Sequence, residues 1–225
     1  ATRLSLLCIG DYPVAPRFLG LGQLTPAQLA GLFPQRHAVT GDELALARAG
    51  WAAFRAPDPT ALVALLASDT AALPFLAGAL TRLLEEYPGV GDGLARTERQ
   101  ILELVAAGVD APALLFAQAQ EREAAPYMGD LTFWTHLRTL SDGPAPLLAL
   151  PDGARFALPA AQGGTAAFNA QRLTLTDAGR SVLAGHADWA TLAGLDRWLG
   201  GVHLLGHTPA WRWDRHEQRL APGGQ

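Results

Sequence analysis

Thr97-Glu98-Arg99-Gln100-Ile101-Leu102-Glu103-Leu104-Val105 opens the stretch on which the fold turns, and Asp130-Leu131-Thr132-Phe133-Trp134-Thr135-His136-Leu137-Arg138-Thr139-Leu140 lies at its centre. In the first run Ile101, Leu102, Leu104 and Val105 recur at helical spacing behind a Thr97 opening, and Gly108 ends it. Pro112 opens a second helix through Leu114, Leu115 and Phe116. Asp130 is placed to cap a third, whose inward face is Phe133, Trp134, Leu137 and Leu140. An apolar strand follows over 146–150, then a Gly- and Ala-rich excursion, an alternating strand over 172–175, and a helix opened by Thr176-Asp177 and carrying Val182 and Leu183. Helix, helix, helix, strand, long loop, strand, helix is the order of a winged helix-turn-helix, predicted over 94–186.

Outward from that region, Val90-Gly91-Asp92-Gly93 reads as a turn-rich hinge closing a helical domain over 1–93. Thr25-Pro26-Ala27-Gln28 and Thr40-Gly41-Asp42-Glu43 are capping boxes, and Asp58-Pro59 and Pro74 start two further helices. The apolar run 4–9 reads as a strand buried on both faces, with Cys8 a packing residue inside it. The next credible strand is near Leu147, so the run is expected to be the last piece of a sheet whose other strands are absent, or to pair with a second copy. Over 187–225 a helix is expected at 188–199, with Trp189, Leu192, Leu195 and Trp198 on one face. Strands at 202–205 and 210–214 are expected around Gly206-His207-Thr208-Pro209, with Trp211 and Trp213 packing a terminal hairpin. The fold class is therefore mainly α with minor β.

Composition narrows the chemistry. Among 225 residues the 17 basic ones are all Arg, against 21 Asp and Glu, so the formal charge is −4. The absence of Lys excludes Schiff-base and P-loop mechanisms, and the negative charge gives no general attraction to nucleic acid or an anionic membrane. A single cysteine excludes an internal disulfide and a Cys-rich metal cluster. The most apolar stretch, 61–84, is broken by Ser68, Asp69, Thr70 and Pro74, so no membrane span is expected. A soluble, cytoplasmic protein without a cofactor is the expectation.

The third helix is the element with a functional precedent, since in this architecture it enters the major groove while the wing reaches phosphates. Its outward face is expected to be Thr132, Thr135, His136, Arg138 and Thr139, and the wing contributes Arg155 and Arg172. Against DNA stands the local charge: seven Arg and nine Asp or Glu between 94 and 185, net −2. The preferred expectation is a non-catalytic regulatory or interaction module with a protein partner. A DNA-binding regulator is the alternative, and an accessory part of an enzyme whose catalytic domain lies elsewhere is the second.

Other constellations are weaker. His203 and His207 are four apart on a strand and turn rather than a helix, with His216, Asp214 and Glu217 nearby, and no metal site is expected. Gly-x-Ser-x-Gly is absent, and Gly20-Leu21-Gly22 lacks the third glycine of a dinucleotide fingerprint. Glu85-Glu86 is read as a solvated helix end rather than an acid pair, because adjacent helical residues point about 100° apart. No catalytic residue is assigned.

Several ungapped blocks carry a family resemblance: Gly20-Leu21-Gly22-Gln23-Leu24-Thr25, Trp51-Ala52-Ala53-Phe54-Arg55-Ala56-Pro57-Asp58-Pro59, Leu73-Pro74-Phe75-Leu76, Arg96-Thr97-Glu98-Arg99-Gln100 and Asp196-Arg197-Trp198-Leu199-Gly200-Gly201-Val202-His203. Over nearly the whole chain they resemble an uncharacterised bacterial family, a domain of unknown function. Longer members carry a further N-terminal α/β domain with a Trp-Phe-Glu-His-Asp-like segment, which nothing in this sequence matches. The resemblance implies no reaction, cofactor or catalytic residue.

Overall fold

The computed structural model describes residues 3–15, 17–151, 153–159 and 165–223. The chain is mainly helical with small antiparallel sheets and divides into two compact units, Ala1–Thr81 and Arg82–Gln225.

In the first unit, β1 (Ser5–Leu6) pairs antiparallel with β2 (His37–Ala38), and the Val39 amide extends the pairing to the Leu4 carbonyl. This corrects the expectation for 4–9. The segment has a partner within its own unit, Cys8 is exposed, and only two residues form the ladder. β2 was missed because His37-Ala38 has no alternating apolar pattern. Both capping boxes form as the sequence prescribes. Thr25 caps α1 (Pro26–Leu32), and Thr40 caps α2 (Gly41–Arg55), with Glu43 returning to the Thr40 amide. Glu43 also takes His37 Nε2 at 2.6 Å, which ties β2 to the start of α2. The Thr40 amide first, then His37, holds the Glu43 carboxyl below its ordinary range. After α3 (Thr60–Leu66), α4 begins past Pro74 and runs over Leu76–Leu84. Phe33, Trp51 and Phe75 are exposed.

The second unit holds the main core. Its helices are α5 (Arg96–Ala106), α6 (Pro112–Glu121) and α7 (Asp130–Ser141). Ile101, Leu102, Leu115, Phe133, Trp134, Leu137 and Leu140, as the periodicity prescribes, are buried in one cluster. The capping differs from expectation: Ala95 precedes α5 and donates to Glu98, while Gly129 rather than Asp130 precedes α7. β3 (Leu148–Ala149) and β4 (Thr174–Leu175) pair antiparallel. The Leu173 amide donates to the Asp110 carbonyl, joining the start of β4 to the α5–α6 connection.

The excursion between β3 and β4 carries helix and core anchors among its described residues. It contains α8 (Ala166–Ala170), and it sends Phe156 and Phe168 into the core, where Phe168 stands edge-on to Trp134 at 5.0 Å. Residues 160–164 lie outside the described residues. α9 (Asp177–Leu183) follows, capped by Thr176, with Gly179 against the Leu147 carbonyl where a Cβ would overlap.

The C-terminus departs furthest from expectation. The helix is only α10 (Trp189–Ala193), ended by Gly194 at φ +74°, and β5 (Leu195–Leu199) pairs with β6 (Val202–Gly206) across Gly200-Gly201. A second hairpin joins β7 (Trp211–Asp214) to β8 (Arg219–Pro222). Two hairpins thus replace the expected single one, because each strand pairs across its own short turn rather than across 206–209. Trp213 is buried, as expected of a packing ladder.

Candidate interaction surface and the ionic framework beneath it

The residues singled out for contact occupy three kinds of position. Thr132, Arg138 and Thr139 are exposed on α7, opposite the buried stripe, and Thr135 and His136 are half-buried beside them. A period of 3.6 residues leaves no other arrangement once Phe133, Trp134, Leu137 and Leu140 face the core. The Thr135 hydroxyl donates back to the Thr132 carbonyl at 2.6 Å, so it is partly spent on its own helix. His136 lies close enough to Glu86 for its charge to act on that carboxyl. Arg138 forms no ion pair among the described residues.

The two arginines assigned to the wing are not alike. Arg155 is exposed. Arg172 is also exposed, yet Nη1 donates to the Asn169 and Gln171 carbonyls at 2.8 Å each and Nε faces Asp110 at 3.6 Å. Its charge is therefore paired and its donors hold the local turn. Gln171 clamps Ala157 through both backbone groups, fixing the excursion to itself. Phe156 and Phe168, which lie between Arg155 and Arg172 in the sequence, are both buried in the core.

Sequence reasoning missed a buried ionic framework in the same unit. Arg82 donates to Glu86 at 2.5 Å, to the Thr97 hydroxyl at 3.0 Å and through two nitrogens to Glu123. The ring of Tyr127 lies over its guanidinium at 5.2 Å. Arg96 pairs with Glu85 at 2.5 Å. The expectation of a solvated Glu85-Glu86 end is therefore overturned: Arg82 and Arg96 bring compensating charge, and both carboxylates are withdrawn from solvent. Burial pushes the Glu86 carboxyl up, but Arg82 and the Thr97 hydroxyl outweigh it and hold the group below the ordinary carboxylate range. Burial and the Glu86 charge push the Tyr127 phenol up.

A second centre is Asp92, whose side chain is 4% exposed. It accepts from the Leu94 amide, from Arg99 at 2.5 Å and from both terminal nitrogens of Arg215. Its own carbonyl receives the Trp189 amide, while the Val90 amide and the Pro88 carbonyl bond Trp213. Arg212 reaches Asp188 and the Gly89 carbonyl, and Arg197 reaches Glu98. The segment read as a hinge is consequently a fixed junction that ties the C-terminal hairpins to α5. Glycines were the misleading signal. Gly93 is required, because it sits at φ +70° and a Cβ would meet the Ala190 amide and Asp188, while a Cβ at Gly89 would displace the Arg215–Asp92 pair.

A shallow cleft of about 270 Å³ opens over Arg96, Arg99 and Arg215. Each guanidinium in it is already committed to Glu85, Glu103 or Asp92. Among the histidines, His203 Nε2 lies 2.7 Å from Asp196 and His207 Nδ1 lies 2.7 Å from the Thr191 carbonyl. Among the described residues no three His, Cys, Asp or Glu side chains converge as a metal site, and no helix is long and apolar enough to cross a membrane.

Compared with known proteins, the chain matches no family model, no curated protein and no solved structure.

Proposed function

We propose that this chain is a non-catalytic, cytoplasmic regulatory or assembly protein whose second unit, a winged-helix-like module, docks a protein partner through the outward face of α7. The order α5, α6, α7, β3, α8, β4, α9 keeps the three helices and the paired strands of that architecture, with α8 set into the excursion between the strands. The observation that carries the protein-contact reading is the charge of the exposed face. Arg138 is its one full cation among Thr132, Thr135 and Thr139, and the neighbouring exposed side chains include Leu131. A surface that neutralises several phosphates needs a basic stripe, because each phosphate contact adds counterion-release affinity. A face of hydroxyls and an aliphatic side chain, with Arg138 as its lone cation, instead suits a protein interface, where charged residues are depleted at the centre.

DNA binding remains the second reading, favoured by the module's element order and by the exposure of Arg138 and Arg155. It is weakened by the pairing of Arg172 with Asp110. A benzophenone amino acid at the exposed Thr139 separates the two in living cells. The expected adduct is one protein of defined mass, lost on Arg138→Glu; a nucleic-acid adduct would overturn the proposal.

A further inference from the structure

The β5–β6 hairpin has two unlike faces. Leu195, Val202 and Leu204 point inward and are buried, as alternation requires. Asp196, Trp198, His203 and Leu205 point outward, and the register sets Trp198 opposite His203 and Asp196 opposite Leu205. Trp198 is 63% exposed and Leu205 61% exposed. The His203 ring stacks on the indole at 4.4 Å and 7°, and its Nε2 is held by Asp196 Oδ1. That covers one indole face and fixes the ring. The other Asp196 oxygen makes no hydrogen bond among the described residues, on a side chain 78% exposed.

We propose that this outward face is a docking site for a partner-protein segment that presents arginine beside aliphatic side chains. Charge complementarity selects this occupant. An indole face carries negative quadrupole potential and attracts a guanidinium, and the carboxylate two residues away selects the same sign. Leu205 and the indole edge supply apolar area for the partner's aliphatic groups. Arg197, the strand's own cation, points to the opposite face and is bound to Glu98, so it does not compete. A nucleic-acid strand would also stack on an exposed indole, but Asp196 repels its phosphates. The site lies on different elements from α7 and stands or falls separately from the reading given above.

The test is a titration of the intact chain labelled at the tryptophan indole nitrogens, with the Trp198 resonance assigned from Trp198→Phe. The probe is a capped peptide alternating leucine and arginine; the comparisons are the same peptide with glutamate for arginine and an oligothymidylate. The expected result is a saturable shift of the Trp198 signal by the arginine peptide alone, about fivefold weaker in Asp196→Asn and absent in Trp198→Ala. Both positions are exposed, and circular dichroism verifies that the variants fold. Equal response to the glutamate peptide, unchanged affinity in Asp196→Asn, or tighter binding of the oligothymidylate would overturn the proposal.

Discussion

Asp92 shows how much one side chain organises. It is a carboxylate almost wholly withdrawn from water, and two arginines and a backbone amide replace its hydration. Removing the partner of a buried charge is more damaging than never having built the pair, because the remaining charges are left without compensation. Asp92→Ala is therefore expected to lower unfolding stability by about 3 kcal/mol in urea titration; a loss within about 0.5 kcal/mol, typical of surface changes, would show that the arginines find water instead. Nothing in Val90-Gly91-Asp92-Gly93 announced this. An acid between glycines has the composition of a solvated turn, and the partner Arg215 lies 123 residues away. Long-range pairing of this kind leaves no local period to read.

Glu86 carries a pH dependence with a definite sign. Its folded carboxyl titrates below the ordinary value of 4.5, so the native state favours the charged form more than the unfolded chain does. The stability it contributes is fully present above about pH 5 and is lost as the pH falls through 4.5 towards the depressed folded value. Thermal melts of wild type and Glu86→Gln should therefore differ at pH 7 and converge towards acid; a constant difference would contradict the assignment.

At the scale of elements, legibility followed periodicity. The stripes of α5 and α7 were readable because burial of one helix face imposes a spacing on the sequence, and the buried residues are those the spacing marks. Leu195 and Trp198 carry the same spacing on from Trp189, yet belong to a strand. Gly194 at φ +74° interrupts the helix, and β6 supplies cross-strand partners for each residue from Leu195 to Leu199. Tertiary pairing there overrode a local period. The excursion after β3 was opaque for another reason: Gly and Ala hid its anchors, Phe156 and Phe168. Phe168→Ala should destabilise the second unit by about 3 kcal/mol, since it empties an aromatic site against Trp134. Limited proteolysis would then cut within 153–159 or 165–173. Unchanged stability and resistance would mean that the excursion packs independently of its aromatic anchors.

At the scale of the whole molecule, the contact candidates were legible in part. Helical geometry fixed Thr132, Arg138 and Thr139 outward with Thr135 and His136 at their flank, whereas the pairing of Arg172 needed Asp110 from a distant connection. The function proposed for the second unit rests on what its exposed helix lacks, a cluster of cations. That is most directly measured with duplex DNA fragments in a mobility-shift titration at about 50 mM salt, where phosphate contacts are strongest. No retardation that Arg138→Ala reduces is expected. Retardation that weakens steeply with added salt and disappears in Arg138→Ala would contradict it.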